Sequence, residues 1–298
     1  MATALVLMVI KPSLAFYSTP LISHAFRGLM TTKNGGAAEA SFGIIMEGIL
    51  LKIFLDEHSH IPQWYVPLFL IQWVFLVLCR ATGALLTTVF CLVYIFLFTK
   101  HRFPVGWIYC IVNVAWVVMA LSILPMLAPL LESLGKDATL TGRTPLWQQV
   151  VKVMSSHKTL TGFGYCRFWV EPKDYTLVQS GFGKDDFFGQ VAVGAHNMLL
   201  ELWLNVGLIG IALFFIAILF ATRRIREVPE GSYMFISSFV VFLLVGGLTE
   251  RIFDNYQYKT LMFFVTLGLG CKRPRPEARL FSWQKEKQTQ FTEGAVKA

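Results

Sequence analysis

A histidine at the boundary between polar and apolar sequence is the residue of this chain best suited to acid–base chemistry. Residues 130–194 form one long polar stretch between hydrophobic segments, and it closes on Ala195, His196 and Asn197. Imidazole titrates close to neutral pH, so His196 can act as a general base. An ionisable residue at a membrane boundary is also costly to hold in place. The alternative is an interfacial histidine with no chemical role.

Two arginines are candidates for binding an anion. Arg143 precedes Thr144, which can cap a helix, and Pro145, which suits the first helical position. Apolar residues then recur at helical spacing, which predicts an amphipathic helix at the membrane interface. The backbone N–H groups at its start, beside Arg143, would form an anion site. Contact with lipid headgroups remains an open interpretation for Arg143 and also for Arg80.

Three neighbouring features have both structural and functional interpretations. The segment Gly162-Phe163-Gly164-Tyr165 is typical of a structural turn, although its aromatic residues would also suit sugar stacking. Asn197 is predicted to cap the helix that follows His196. Gly207 and Gly210 lie three residues apart, which favours close approach of two helices.

The composition places these residues in a helical membrane protein. Hydrophobic residues make up 55% of the 298-residue chain and charged residues 15%, with a mean hydropathy of +0.58, whereas soluble domains carry about 25% charged residues. The net charge of +8 does not indicate nucleic-acid binding, because the basic residues cluster at the ends of apolar segments. The predicted fold class is all-α, a polytopic transmembrane bundle of about seven spans with one long outer-side loop containing short amphipathic helices.

A span needs about 20 mostly apolar residues. The predicted spans are residues 36–55, 103–131, 202–222, 231–249 and 256–271, with a shorter candidate at 1–16. Residues 63–99 are too long for one span, because a single helix would measure roughly 55 Å against a hydrocarbon core of about 30 Å. Two spans joined by a turn at 79–83 fit better and put Arg80 at a membrane surface. Glu47 and Lys52 can pair with each other or mark a cytoplasmic half.

The basic residues also predict orientation. The clusters at 100–102, 223–226 and 272–275 fall on one side, the cytoplasm, if the spans alternate. The same alternation puts residues 27–34, Arg80, the long loop and the pair Glu250-Arg251 on the outer side, where those two can pair with each other. The predicted domains are N-terminal transmembrane helices (1–129), an outer-side loop (130–194), C-terminal transmembrane helices (195–271) and a disordered cytoplasmic tail (272–298).

Several short motifs together resemble the O-antigen ligase and Wzy-type polymerase superfamily. They are Gly142-Arg143-Thr144 with Trp147, Gly162–Tyr165, His196-Asn197 with Gly207–Gly210, and Arg80-Ala81-Thr82-Gly83, where Cys79 stands in place of the usual serine. The segment Arg27-Gly28-Leu29-Met30-Thr31-Thr32-Lys33-Asn34 is similar to one in ExoQ-type exopolysaccharide production proteins. The resemblance runs from about residue 1 to 271. Family members carry more spans, so the chain is expected to begin partway through the family fold, as a fragment, a misassigned start or a shortened paralogue.

The resemblance implies a membrane glycosyltransferase. In this family the donor is a glycan linked to undecaprenyl pyrophosphate, and a sugar hydroxyl of the acceptor attacks its anomeric carbon with inversion, without a metal or other cofactor. By this resemblance His196 and Arg143 would be catalytic. Substrate binding would fall to the remaining candidates, which are Arg80, Lys33, Asn34, Asn197 and Glu250.

The resemblance leaves several functions open. The leading hypothesis is a polymerase of lipid-linked repeat units in the bacterial inner membrane, with its site facing the periplasm. The alternatives are a ligase that uses a lipid A core or protein acceptor, a transporter or channel, and an inactive remnant. A transporter is disfavoured because the sequence shows no internal repeat and its charges cluster at one surface. The expected partners are the lipid-linked glycan, the acceptor, membrane lipid and other polysaccharide secretion components, and no nucleic acid.

Overall fold

The chain folds as an all-α bundle that carries one small β-hairpin. The structure, a computed structural model, describes residues 9–19, 22–30, 32–57, 60–133, 143–183, 194–251, 263–265 and 268. Its elements in chain order are α1 (Pro12–Ala15), β1 (Phe16–Thr19), β2 (Ile22–Phe26), α2 (Lys33–Asp56), α3 (Tyr65–Leu78), α4 (Thr82–Val93), α5 (Val105–Ser133), α6 (Arg143–Ser156), α7 (Pro172–Gln179), α8 (Met198–Arg224) and α9 (Glu230–Gly247). The two strands pair antiparallel. The predicted fold class is therefore confirmed.

Within the described residues, four helical segments are long and apolar enough to cross a membrane. They are Thr82–His101, Val105–Ile123, Met198–Arg223 and Glu230–Gly247. The predicted total of about seven spans is not confirmed. Helix α2 covers the predicted span 36–55, and α3 is an apolar helix of only 14 residues. The candidate at 1–16 ends in a four-residue helix and the start of β1. The predicted span 256–271 lies largely outside the described residues.

The predicted turn within residues 63–99 is present. Helix α3 ends at Leu78 and α4 begins at Thr82, with Arg80 between them at φ +49°. The suggested pairing of Glu47 with Lys52 is not what forms, because the Lys52 ammonium bonds to the carboxylate of Asp56, one helical turn further along α2. The side chains of Lys52 and Asp56 face the same side of the helix.

Two of the hydrophobic clusters meet at the start of α8. The bundle core joins α2, α4, α5, α8 and α9, and the loop core joins α5, α6, α7 and residues 163–168 to α8. Met198 and Leu202 belong to the bundle core, whereas Leu200 and Leu204 belong to the loop core. The first two turns of α8 are thus packed on both sides, and the residues just before them are held between two cores.

Helix α6 confirms the predicted amphipathic helix but buries its apolar side in protein. It begins at Arg143, one residue before the predicted cap, and Leu146, Trp147 and Val150 are fully buried in the loop core. The apolar side of α6 therefore packs against α5, α7 and α8.

Helix α8 is broken at Gly207, where the chain takes φ +66° and ψ −174°. The segment 159–164 packs against the break and completes its backbone hydrogen bonds. Leu208 and Ile209 donate to the carbonyls of Thr159 and Leu160, at 3.0 and 3.1 Å. Leu204 and Asn205 accept from the amides of Phe163 and Gly164, at 2.7 and 3.0 Å. Gly207 therefore breaks the helix to admit a loop, rather than admitting a second helix as the spacing of the two glycines suggested.

Replacing Gly207 with alanine should destabilise the protein. A Cβ there would lie 2.2 Å from the carbonyl oxygen of Leu160, and the positive φ is itself strained for alanine, with strain of this kind costing about 1–3 kcal/mol. The unfolding temperature of the detergent-purified protein should fall. Gly231→Ala is the matched control, because its Cβ would meet no atom within 4 Å in helix α9. Equal unfolding temperatures for Gly207→Ala and Gly231→Ala would contradict this account of the break.

Candidate active site

Four polar side chains from separate parts of the chain meet at one end of the bundle. They are Asn34 in the first turn of α2, Arg143 at the start of α6, His196 just before α8 and Glu250 just after α9. The Glu250 carboxylate contacts the other three. Its Oε1 accepts from Arg143 Nη2 at 2.8 Å and from Asn34 Nδ2 at 3.0 Å, and its Oε2 lies 3.4 Å from His196 Nδ1. The suggested pairing of Glu250 with Arg251 is replaced by these contacts.

The carboxylate is electrostatically stabilised in this position. Burial raises the pKa of Glu250, but the hydrogen bond with His196 and the positive charge of Arg143 lower it by more, so the pKa lies below its usual range. The side chains remain partly open to solvent, with 21% of Arg143, 29% of His196 and 32% of Glu250 exposed. Glu250 therefore stays ionised at neutral pH, at a position that a ligand can reach.

The backbone of His196 is in the left-handed region, at φ +48°. This conformation is uncommon for a residue other than glycine and persists where the surroundings impose it. On one side, Trp147 Nε1 donates to the carbonyl of Ala195 at 2.7 Å. On the other, Asn197 caps α8 through the amide of Leu200 at 3.1 Å and donates to the carbonyl of Leu248 at 3.1 Å. The predicted cap at Asn197 is confirmed, and the side chain of Asn197 also ties α8 to the end of α9.

The end of α9 is fixed by two further bonds. Trp116 on α5 donates from Nε1 to the carbonyl of Leu248 at 2.8 Å. Arg143 Nη1 donates to the carbonyl of Thr249. The chain leading into Glu250 is thus held by helices α5 and α6 as well as by Asn197, which sets the direction of the carboxylate.

The Arg80 turn lies beside this cluster, and it is the backbone of Arg80 that contacts Lys33. The side chain of Arg80 is exposed, and its carbonyl accepts from Lys33 Nζ at 3.3 Å. A Cβ on Gly83, in the same turn, would lie 3.1 Å from Thr249 Oγ1. The structure therefore brings the Arg80 turn, Lys33 and the Glu250 segment to the same end of the bundle, as the predicted sidedness requires.

The sequence did not point to two contributors, the buried Glu201 and the half-buried Trp116. Glu201 is 5% exposed, and its carboxylate bonds to the amide of Ala195 at 2.9 Å. One signal was available, since Glu201 is the single charged residue between His196 and Arg223. An acid in an apolar helix is costly and therefore suggests a specific partner. No comparable signal singled out Trp116 among the eight tryptophans.

Comparison with known proteins identifies the family of this chain. The family described as O-antigen ligase (Wzy_C) matches residues 67–215, half of the chain. This protein belongs to the O-antigen ligase family. The resemblance drawn from short motifs is thereby confirmed, and with the four apolar helices it makes this a multi-pass membrane protein. The matched region includes Arg80, Arg143 and His196, whereas Asn34 and Glu250 lie outside it.

A curated relative gives a second point of comparison for this family member. The exopolysaccharide production protein ExoQ of Rhizobium meliloti (strain 1021) is 28% identical over 165 residues, which is 51% of this chain and 36% of that protein. The match thus spans about a third of the length of the relative. No solved structure matches this chain.

Neutralising Glu250 should change how stability depends on pH. Because its pKa is lowered in the folded protein, the ionised carboxylate stabilises the fold above its unfolded pKa, and this contribution is lost as the pH falls through the folded value. Glu250→Gln should lower stability at pH 7 by about 1–3 kcal/mol, the usual cost of removing a charged hydrogen-bond partner. The unfolding temperature of this variant should also depend less on pH below 5 than that of the wild type.

The control is Glu171→Gln, which removes an acid at the start of α7 that lies 3.9 Å from Arg167 and is 39% exposed. Exposed pairs of this kind contribute less than about 1 kcal/mol. If Glu250→Gln loses no more folding stability at pH 7 than Glu171→Gln does, Glu250 does not hold the cluster together.

Proposed function

We propose that this protein transfers a glycan from a polyprenyl pyrophosphate donor to a sugar hydroxyl of an acceptor, as a polymerase of exopolysaccharide type. The observation that carries the proposal is the convergence of Arg143 and His196 on Glu250 at a partly open end of a membrane bundle. Membership of the O-antigen ligase family and similarity to a protein named for exopolysaccharide production support the substrate class. The donor is taken to be undecaprenyl-linked, in the inner membrane, with the site facing the periplasm.

In this proposal His196 is the general base. Its Nδ1 faces Glu250, which leaves Nε2 as the nitrogen that takes the proton. A carboxylate on one ring nitrogen fixes the tautomer and stabilises the imidazolium that forms. The acceptor hydroxyl loses its proton to Nε2 while its oxygen attacks the anomeric carbon. The bond from that carbon to the pyrophosphate oxygen breaks, and the pyrophosphate leaves with the electron pair, so the configuration inverts.

The arginines are proposed to stabilise the leaving pyrophosphate. A guanidinium carries five N–H donors, and the bonds from Arg143 to Glu250 and the Thr249 carbonyl orient it without using all of them. A fixed cation of this kind stabilises charge that develops as the bond breaks. The exposed Arg80 and the half-buried Lys33 lie beside the cluster and would add positive charge for the same group, with no metal ion required.

The polar side chains around Glu250 are proposed to bind the sugars. A carboxylate repels pyrophosphate, so any contact of Glu250 with substrate should be with a sugar hydroxyl. Asn34 donates to the same carboxylate oxygen as Arg143, and its own side-chain carbonyl could accept from a hydroxyl. Asn197 contributes mainly through the placement of His196.

A second candidate is a ligase, which would use the same donor and a different acceptor. The description of the family as O-antigen ligase favours it. The chemistry at Arg143 and His196 is the same in both cases, so the acceptor alone distinguishes them. Supplying lipid-linked repeat units and a lipid A core acceptor in separate reactions, and finding product only with the core, would replace the polymerase by the ligase.

Removing the side chain of His196 or of Arg143 should almost abolish polymer formation. With purified protein and lipid-linked repeat units, His196→Ala should reduce turnover by about 10²- to 10⁴-fold, the usual contribution of a general base. Arg143→Ala should reduce it comparably, and Arg143→Lys should restore part of the rate, since lysine supplies the charge but not the planar fork.

The matched controls are His157→Ala and Arg167→Ala on the same outer loop. His157 is exposed and its Nδ1 lies 3.1 Å from the carbonyl of Val153, one turn earlier, and Arg167 pairs with Glu171 and Asp174. Polymer yield and length should be unchanged in both controls. Unchanged polymer from His196→Ala or Arg143→Ala would contradict the assigned roles.

A further inference from the structure

We infer that Glu201 is a positioning residue for the proposed reaction, holding the backbone before His196 so that the imidazole meets its partners. The inference rests on the proposed function for its kinetic consequence. Its geometric basis is independent, because Glu201 Oε2 accepts from the amide of Ala195 at 2.9 Å and Oε1 accepts from Trp169 Nε1 at 2.9 Å. The side chain is 5% exposed.

The two oxygens of Glu201 bind donors from different segments. The Ala195 amide belongs to the strained turn at His196, and Trp169 belongs to the aromatic segment that packs in the loop core with Phe168. A carboxylate suits this position because both of its oxygens accept. A glutamine would present an NH₂ group to one of these N–H donors and so break one of the two bonds.

The fixed amide explains how the turn at His196 is maintained. Both backbone groups of Ala195 are bonded to buried side chains, the amide to Glu201 and the carbonyl to Trp147. His196 follows at φ +48°, a conformation that must be imposed by its neighbours. If the Ala195 amide is released, the turn can relax to a less strained backbone. The ring of His196 would then swing away from Glu250, which lies 3.4 Å away.

The charge on Glu201 is also favourably placed for this task. It lies in the first turn of α8, where the helix dipole stabilises a negative charge. Glu201 is not part of the Arg143–Glu250 cluster, so its removal leaves the cations proposed for the pyrophosphate in place. Its loss should therefore slow the chemical step and leave donor binding unchanged.

The kinetic experiment compares Glu201→Ala, which removes both bonds, with Trp169→Phe and the exposed control Glu171→Gln. Glu201→Ala should lower kcat for glycan transfer by about 10- to 100-fold, as expected when a reacting group is displaced by about 1 Å, with KM for the lipid-linked donor unchanged. Trp169→Phe removes one donor but leaves the bond to Ala195, so its loss should be smaller. The inference would be overturned if KM for the donor rose by as much as kcat fell. It would also be overturned if Trp169→Phe lowered kcat more than the substitution at Glu201 does.

A second experiment needs no glycan and therefore separates the failure of this inference from the failure of the proposed function. Hydrogen exchange at the Ala195 amide and the rate at which diethyl pyrocarbonate modifies His196 are measured by mass spectrometry in the purified protein. In Glu201→Ala, exchange at Ala195 should rise by more than tenfold and the modification rate of His196 should change severalfold, with no change in Glu171→Gln. Wild-type values in Glu201→Ala would overturn the positioning role even if transfer is observed.

Discussion

The ends of the helices are held together at the candidate site by one carboxylate. Glu250 contacts Asn34, Arg143 and His196, which lie 216, 107 and 54 residues from it in sequence. Apolar packing cannot set these positions alone, because between helices in lipid the hydrophobic effect gives little driving force and packing has little directional preference. A charged hydrogen bond is directional and stronger than a neutral one. The relative placement of α2, α6 and α8 at this end therefore depends on the ionised state of Glu250.

Irregular backbone near the site is tolerated because its hydrogen-bonding groups find partners within the protein. Unpaired amides and carbonyls are costly near a bilayer unless protein or water satisfies them. At the break in α8, segment 159–164 supplies partners for Leu204, Asn205, Leu208 and Ile209. At the turn before α8, tryptophan, asparagine and glutamate side chains satisfy the backbone groups of Ala195, Leu200 and Leu248. Side chains and a loop thus replace the hydrogen bonds that regular structure would have made.

The sequence predicted the parts of this structure that depend on local pattern. Hydrophobic length and the single charge at Arg80 located the break between α3 and α4, and Thr144-Pro145 located the start of α6 to within two residues. The cap at Asn197 followed from residue type alone. Long-range contacts were not predictable in this way. A pairing of Glu250 with its neighbour Arg251 was one open interpretation, because sequence proximity gives no information about which partner offers the better geometry.

Two residue types show why the remaining features were missed. A glycine pair three residues apart has the same spacing whether it admits a second helix or a loop, and only the φ of +66° at Gly207 distinguishes the two. A tryptophan in an apolar segment is read as a core residue from its pattern alone, yet Trp116 and Trp147 also donate to the carbonyls that fix the site. Polar roles of aromatic residues depend on which carbonyl the folded chain places within reach. That information exists only after the helices are assembled.

The break in α8 divides the apolar segment Met198–Arg223 into a first part that leads from the site and a second part that is by itself almost long enough to cross a membrane. From Gly207 to Arg224 the helix measures about 27 Å at 1.5 Å per residue, close to a hydrocarbon core of about 30 Å. The residues before the break are packed between the bundle core and the loop core instead. A change in bilayer thickness would tilt the spanning part, since tilt is how a helix accommodates mismatch. Because the kink at Gly207 lies between them, that tilt need not be transmitted rigidly to His196. The position of the proposed base is then set by buried tryptophan, asparagine and glutamate side chains, and not by the lipid around the span.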